Sequence, residues 1–415
     1  MKSEKISFMM IAVLGVFGVS LLLGVHASAQ TEIILHHFGG SKLDGVNPSS
    51  GVIFDADGNL YGETRTGGSM NGGTVFELSP QSGGSWMEQV VHNFEDQGVG
   101  GDLPHSGLIF DAAGNLDGTT GNTGHSGYSY GKLFQLTPKV DGGWMERLLY
   151  SFNLVPGGGF PDGVIFDAEG NFYGPAQVDD LWSGAIFQLD YSNGGWTETI
   201  LHSFDHYFTR PNAGLIFDAA GHLYGTTEGG GIHGHGAGMV FELGRDADGQ
   251  WTDFSVLHNF NIDGADGFSP TGSVIFDSSA HLYGTTEQGG TEAGGTVYEL
   301  APAAGGKWTE KILYNFSLKN ETINGVYPNS TLVFDSAGNL YGTASGGAYS
   351  GGVVFALSPA ADGSWTETVL HSFANNRNDG IGPMGPLVLD AAGNIYGTTF
   401  GGGRYESGVV FEIVR

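Results

Sequence analysis

Short apolar runs separated by polar turns recur along the whole chain, and their spacing predicts β-strands. In each copy a run such as Gly51 to Asp55 is followed by a turn rich in Asp, Ala and Gly, and then by Asn-Leu-Tyr-Gly. Short runs of β-branched and aromatic residues bounded by Gly, Pro, Ser and Asp are typical of strands. The seven copies begin at Gly51, Gly107, Gly163, Gly214, Ser273, Thr331 and Pro386, with a period of 51 to 59 residues. Such a period indicates a repeat architecture.

One repeat contains four predicted strands. In the sixth copy they run from Leu332 to Asp335, Asn339 to Thr343, Val353 to Leu357 and Trp365 to Phe373. No stretch after the N-terminal segment has a convincing helical period, and a β-helix would need fewer strands and a shorter repeat. Four strands in each repeat match one blade of a β-propeller. The sequence therefore predicts an all-β, seven-bladed β-propeller with four antiparallel strands per blade.

The two ends of the repeat region complement each other. The segment from Thr31 to Phe38 is similar to the fourth strand of later copies, such as Thr197 to Phe204, whereas Val409 to Val414 corresponds to a third strand. We therefore expect the N-terminal strand to complete the last blade beside Val409 to Val414. This pairing would close the ring and remove an open sheet edge that would otherwise invite aggregation.

The first residues have the features of an export signal. Lysines precede an apolar run from Phe8 to Val25, and Ala27 to Ala29 offers a small-x-small cleavage site. The run is also long enough for an uncleaved anchor, but a predicted strand starts almost directly after it and would leave no linker. We therefore expect residues 1–29 to be a signal peptide and 30–415 a single propeller domain. The predicted location is extracellular, on the cell surface or in the periplasm.

Charge and composition exclude several partners. Only 14% of the residues are charged, yet the formal net charge is -29, and there is no cysteine. A strongly negative surface repels phosphate backbones and anionic lipids, so we expect no nucleic-acid partner. We also expect no membrane span after signal cleavage, and a monomer. Without cysteine the chain has no disulfide and no thiolate metal site.

Most of the recurring polar and aromatic residues are interpreted as structural. The aspartate that begins each tight turn can accept backbone N–H bonds, and a following Gly supplies the left-handed conformation. Ala280 replaces that Gly in the fifth copy, so we expect slight strain there, of roughly 1 kcal/mol. His or Tyr occupies one position of the fourth strands, which indicates a half-buried ring with a hydrogen-bonding tip. The Trp residues that open these strands are interpreted as packing anchors.

Residues that break the repeat are the candidates for function. Asp117 stands where the other copies have Tyr, and either a functional or a tolerated substitution explains it. The connections of variable length, between blades and after the second strand, should lie on one face, where binding sites usually form. On that face the predicted ligand-binding residues are Asp179, Asp180, Trp182, Asp205, His206, Tyr207, Arg210, His233 and His235. No catalytic residue and no cofactor is evident, and a divalent cation is compatible with these side chains.

The whole region after the leader resembles the GloVer tandem-repeat family of bacterial exported, "choice-of-anchor" proteins. The resemblance rests on residues 214–227, 295–300 and 365–373. It implies export and tandem repeats, but no established reaction. The leading hypothesis is a secreted, non-enzymatic binding propeller for polysaccharide or another extracellular polymer. The alternatives are a carbohydrate-active lyase or hydrolase that uses Asp179, Asp180, His206, His233 and His235, and a purely structural envelope protein.

Overall fold

The predicted propeller is confirmed. The computed structural model describes residues 30–95, 102–121, 130–140, 142–153, 159–178, 183–204, 209–211, 213–232, 236–246 and 248–415. Seven sheets, one for each repeat, form a ring of blades in which each blade packs on the next. We number the blades 1 to 7 from the copy that begins at Gly51. Within a blade the strands are numbered 1 to 4 from the ring axis outward.

Each class of strand has its own bounds. The first strands are Ile53–Phe54, Pro104–Phe110, Ile165–Phe166, Ile216–Phe217, Ile275–Phe276, Val333–Phe334 and Val388–Leu389. The second strands are Leu60–Gly67, Leu116–Thr120, Phe172–Val178, Leu223–Thr227, Leu282–Thr286, Leu340–Ser345 and Ile395–Gly402. The third strands are Asn71–Pro80, Lys132–Pro138, Ser183–Ser192, Met239–Arg245, Ala293–Ala303, Ser350–Pro359 and Val409–Val414. The fourth strands are Trp86–Glu95, Trp144–Ser151, Gly195–Ser203, Trp251–Asn259, Lys307–Ser317, Trp365–Ala374 and, for blade 7, Thr31–His37.

The inner part of each blade differs from the sequence-based expectation. Most first strands are only two residues long, and short extra strands precede or flank them. These extra strands are Gly45–Pro48, Gly159–Pro161, Gly267–Phe268, Gln288–Gly289, Val326–Pro328 and Gly380–Pro383. The chain has to cross from the outer strand of one blade to the axis of the next, and it pairs briefly with the second strand on the way.

Helix is scarce in the described residues, where a 3-10 turn, Leu318–Asn320, leads into a short α-helix, Glu321–Asn324. No helix in the part of the chain that the structure describes has the length and apolar character needed to cross a membrane.

Closure of the ring by the N-terminal strand is also confirmed. Thr31–His37 pairs antiparallel with Val409–Val414, with Thr31 opposite Val414 and His37 opposite Val409. The strand therefore supplies the outer edge of blade 7, as the similarity to later fourth strands predicts.

Aromatic packing joins each blade to the next. The Phe at the end of a fourth strand lies edge to face against an aromatic side chain of the following third strand, as Phe38 does against Phe76 at 5.0 Å between ring centroids. The same contact occurs at all seven junctions: Phe38–Phe76, Phe94–Phe134, Phe152–Phe187, Phe204–Phe241, Phe260–Tyr298, Phe316–Phe355 and Phe373–Phe411. The invariant Gly of the second strand makes room for it, because a Cβ on Gly62 would lie 2.5 Å from the Phe76 ring. The hydrophobic core thus lies between blades.

The recurring aspartates are structural, as predicted. In blade 1 one carboxylate oxygen of Asp55 accepts the backbone N–H groups of Asp57 at 2.9 Å and Asn59 at 2.8 Å. The equivalent pair of bonds is made by Asp111, Asp167, Asp218, Asp277, Asp335 and Asp390. We call the end of the blades that carries these turns the constant face, and the end that carries the inter-blade loops the variable face.

Ala280 has the left-handed conformation that its place in the turn requires, with φ of 61°. Replacing Ala280 with Gly is expected to stabilise the protein by up to about 1 kcal/mol, because only Gly adopts this conformation without steric cost. Gly338, the equivalent residue of blade 6, has φ of 85° and open space around it, so Gly338→Ala should cost a similar amount. Chemical denaturation of both variants tests this, and equal stabilities would contradict it.

Candidate functional site

A proline in each inter-blade loop fixes the residue that follows it near the ring axis. The ring of each proline packs on a Gly of the third strand in the preceding blade, as Pro104 does against Gly73 and Pro48 against Gly408. The residues after these prolines are Ser49, His105, Asp162, Asn212, Thr271, Asn329 and Met384. Asn212 lies outside the described residues. Because this position differs among most of the blades, it is where a repetitive ring can carry a single specific site.

These residues surround an axial pocket of about 450 Å³. The pocket lies between the starts of the first strands, and all seven blades contribute to its wall. Its polar lining consists of Ser49, Ser50, His105, Ser106, Asp162, Thr271, Ser273, Asn329, Ser330 and Thr331. Seven hydroxyl groups, one amide, one imidazole and one carboxyl group therefore face the pocket, and apolar side chains and glycines form the rest of the wall. Concave sites with a few convergent polar groups are the usual ligand sites of proteins.

His105 and Asp162 form the one titratable pair in the described lining of this pocket. The Nε2 atom of His105 lies 3.8 Å from a carboxyl oxygen of Asp162, and its Nδ1 atom lies 3.2 Å from the carbonyl oxygen of Leu103. Burial raises the pKa of Asp162, whereas the nearby His105 and Arg210 oppose that shift. If Nδ1 donates its proton to the Leu103 carbonyl, Nε2 can accept one. A ligand hydroxyl placed between the two groups could then donate to Nε2 and accept from the carboxyl group of Asp162 in its protonated form.

A fully buried carboxyl group lies behind the pocket wall. Glu63 occupies the position of a Thr in most other blades, and its Oε2 atom accepts the N–H of Gly107 at 3.0 Å. The Oε1 atom of Glu63 is buried without a hydrogen-bond partner. Burial raises the pKa of Glu63 to about 8, so the group is mainly protonated at neutral pH. It supports Gly107, which lines the pocket, without opening into the pocket itself.

The structure locates only one of the nine predicted ligand-binding residues. Arg210 lies on the variable face, 3.5 Å from a carboxylate oxygen of Glu228, and acts electrostatically on Asp162. Asp179, Asp180, Trp182, Asp205, His206, Tyr207, His233 and His235 lie outside the described residues. Arg210 is thus placed beside the axial pocket, which the sequence analysis did not identify. The proline that recurs in each inter-blade loop was the sequence feature that could have indicated this pocket.

Asp117 lies on the constant face, away from the axial pocket. It is 1% exposed and lines a second cavity, of about 490 Å³, between blades 2 and 3. One carboxyl oxygen accepts the side-chain N–H of Gln135 at 3.0 Å, and the other is buried without a partner. Burial raises the pKa of Asp117 to about 7.

In the described ranges of the chain, three junctions carry groups that could hold a divalent cation. Each combines the His of a fourth strand with an Asp of the following loop and a Glu of the next blade: His36–Asp44–Glu88, His258–Asp266–Glu310 and His371–Asp379–Glu32. At another junction Tyr314 and Asn324 replace the His and the Asp, and the Asn324 amide donates to the Tyr314 oxygen at 2.9 Å. Replacing the His and the Asp by Tyr and Asn retains the hydrogen bond between the two side chains but removes their charged groups. The predicted half-buried ring with a hydrogen-bonding tip is therefore confirmed at these positions.

Comparison with solved structures finds the same fold at low sequence identity. A fungal alcohol oxidase with copper bound is 13% identical, with a TM-score of 0.52, and the match covers 92% of this chain and 75% of that one. A candidate 6-phosphogluconolactonase from Bacteroides uniformis is 13% identical, with a TM-score of 0.51 and coverage of 82% and 95%. A protein from Lactobacillus plantarum is also 13% identical, with a TM-score of 0.50 and 89% coverage of both chains. These likenesses concern the fold alone.

Sequence comparison is informative at the level of the family. No curated protein matches the chain significantly. The family described as the Gloeobacter/Verrucomicrobia repeat matches residues 15–241 and 210–415. The two matches together span nearly the whole chain, including all seven blades. The chain therefore belongs to the Gloeobacter/Verrucomicrobia repeat family.

Proposed function

We propose that this protein is a non-catalytic binding propeller that holds a sugar unit of a polysaccharide in the axial pocket. The observation that carries the proposal is the post-proline position, the place where the blades differ and where their side chains meet. Seven hydroxyl groups and one amide line part of that wall, and such groups can each donate to or accept from a sugar hydroxyl. The cavity of about 450 Å³ is within the range of small-molecule sites.

The charge of the protein limits the kind of polysaccharide. The net charge is -29, and Asp162 lines the pocket. A negative surface lowers the local concentration of anionic ligands. We therefore propose a neutral polysaccharide rather than one rich in uronic acids.

The proposal also covers the state of the protein and its contacts with the rest of the polymer. We propose an exported monomer with residues 1–29 removed as a signal peptide. The predicted contacts for the polymer where it leaves the pocket are Asp179, Asp180, Trp182, Asp205, His206, Tyr207, Arg210, His233 and His235.

One observation favours a second function, a carbohydrate-active enzyme. His105 and Asp162 are close enough to exchange a proton through a bound hydroxyl, as a general acid and base would. A lyase of this kind would need a uronic acid in its substrate, which the acidic surface disfavours. Product release from neutral or uronate polymers, tested with and without divalent cations, would therefore decide between binding and catalysis.

Binding is expected to depend on the axial pair. A neutral polysaccharide from a panel that also contains uronate polymers should raise the melting temperature of the protein. His105→Ala and Asp162→Asn should each weaken that binding about tenfold, because the first removes a hydrogen bond and the second removes the charge that strengthens one. Calorimetric titration gives the affinities.

Tyr349→Ala is the matched control, since Tyr349 is an exposed aromatic residue on the variable face outside the axial pocket. An equal loss of affinity in the Tyr349→Ala variant would indicate that the polysaccharide binds to the outer loops instead of the axial pocket. A panel in which no polysaccharide binds would overturn the proposal.

A further inference from the structure

A tyrosine of the second strand fills the junction between blades at the constant face. Its ring lies edge to face against an aromatic residue of the next blade, as Tyr173 does against Phe217 at 5.2 Å. Its hydroxyl donates to the turn aspartate of its own blade, for example from Tyr173 to Asp167 at 2.9 Å. The same hydrogen bond is made by Tyr224, Tyr283, Tyr341 and Tyr396. The tyrosine thus supplies a planar ring and a proton donor.

Blade 2 has Asp117 at this position, and both features are lost. The shorter side chain leaves the cavity of about 490 Å³, with Phe166, Phe172 and Trp196 on one side. A carboxyl oxygen of Asp117 is buried in that cavity without a partner. A buried polar atom without a partner is rare in native structures and calls for an explanation. A ligand with a hydrogen-bond donor would provide one.

Two other junctions indicate which donor fits. The guanidinium group of Arg415 lies over the ring of Tyr341 at 4.9 Å and donates to the turn aspartate Asp335 at 3.3 Å. The guanidinium group of Arg245 lies over the ring of Trp251 at 4.5 Å and donates to the Tyr173 oxygen at 3.3 Å. Both arginines stand at the end of the third strand. At two junctions, therefore, the chain itself places a planar cation against an aromatic ring of the constant face, and at one of them the cation also donates to a carboxylate.

The junction between blades 2 and 3 has the acceptors for such a cation but no arginine at the end of the third strand. The equivalent end of the third strand carries Tyr191, whose ring lies 5.1 Å from that of Trp196. The charged residues that line the cavity are four acids and one arginine: Asp111, Asp117, Asp167, Glu169 and Arg147. The lining is thus more acidic than basic. Aromatic faces next to carboxylates are favourable surroundings for a cation.

We propose that this cavity, which we call the Asp117 pocket, binds the guanidinium group of an arginine side chain from another molecule. The guanidinium group would donate to Asp117 and Asp111 and lie against Trp196, as Arg245 lies against Trp251. It would thereby supply the planar group and the proton donor that the tyrosine supplies in the other blades. This site is independent of the axial pocket, because it lies on the opposite face.

The test is a ligand-observed NMR titration of the full chain with N-acetylarginine N-methylamide. The matched ligand is the citrulline analogue, which has the same shape but no charge. We expect the arginine compound to bind about ten times more tightly, since a hydrogen bond between charged groups is worth that much more than a neutral one. Free guanidinium ion should compete with it, which separates recognition of the head group from recognition of the peptide unit.

Four variants make the test specific. Asp117→Tyr restores the residue of the other blades and fills the pocket, so it should abolish binding while the melting temperature stays the same or rises. Asp117→Asn keeps the volume and should weaken binding about tenfold. Arg147→Ala removes the one basic residue of the lining and should strengthen binding. Asp57→Asn removes an exposed charge of blade 1 on the same face and should change nothing.

Several results would overturn the proposal. Equal binding of the arginine and citrulline compounds would show that charge is not recognised. Undiminished binding to the folded Asp117→Tyr variant would place the ligand elsewhere. The proposal requires Arg147 to repel the ligand, so weaker binding of the arginine compound to the Arg147→Ala variant would contradict it.

Discussion

A chain that begins at residue 39 is expected not to fold, whereas a chain that begins at residue 30 unfolds in one cooperative transition. The missing segment contains the fourth strand of blade 7, and both Leu35 and Phe38 within it are buried. Losing one buried side chain of this size costs about 2–5 kcal/mol. Two such losses and an open sheet edge approach the whole stability of a typical domain, about 5–15 kcal/mol. Circular dichroism during heating measures the outcome.

A synthetic peptide of residues 31–38 provides the control, because it should restore folding when added to the shortened chain. A point substitution provides a second control. Phe38→Ala and Phe94→Ala should cost the same, about 3–5 kcal/mol each, since both rings are buried and lie 5.0 Å from their partners in the next blade. A much smaller loss in Phe38→Ala would mean that the junction between blades 7 and 1 is not formed like the others.

Replacing Glu63 with Gln is expected to stabilise the protein at alkaline pH far more than at acidic pH. Burial raises the pKa of Glu63 from 4.5 to about 8 in the folded protein. Between these values the folded state holds a proton that the unfolded chain has lost, so the free energy of unfolding falls as the pH rises. The stabilisation is complete below pH 4.5 and lost above about pH 8. The loss amounts to about 5 kcal/mol, and a Gln side chain, which does not ionise, does not cause it.

Urea denaturation of both proteins at about pH 5 and about pH 9 tests this difference. The Glu63→Gln variant should retain part of the pH dependence of stability, because burial also raises the pKa of Glu32 to about 8 and that of Glu367 to about 7. Glu292→Gln removes a well-exposed carboxylate and should leave the slope unchanged. A Glu63→Gln variant with the same slope as the wild type would mean that Glu63 is already ionised in the folded state.

The fold could be predicted because the same pattern of strands and turns occurs seven times along the chain. Each copy carries the same apolar spacing, and the segment from Thr31 to Phe38 matches a fourth strand that no other part of the chain supplies to the last blade. Turn chemistry could be predicted for a similar reason, since Asp and Gly at fixed positions have few structural alternatives. The strand at the axis was the exception. Its length depends on how the loop crosses the blade, which local sequence does not determine.

The candidate site could not be predicted in the same way. The sequence shows that Ser49, His105 and Asp162 each follow a proline, but these prolines are a whole repeat apart. That they meet is a consequence of ring closure. The position of Asp162 in the pocket is harder to predict, because the repeat is shorter there. Blade 3 has one residue fewer between the proline and the following Gly than blade 2 has. The sequence did single out Asp117, but only the structure reveals the cavity and the unpartnered oxygen beside it.

Closure by the first strand also determines when folding can finish. Thr31 pairs with Val414, so the two partners are separated by almost the full length of the chain. Contacts between residues so distant in sequence form slowly, because the entropy of closing the loop is lost before any contact energy is gained. During synthesis the first strand therefore remains unpaired until the last blade has been made. The final kinetic step should be the docking of Thr31–His37, and a chaperone that shields this strand would act at that step.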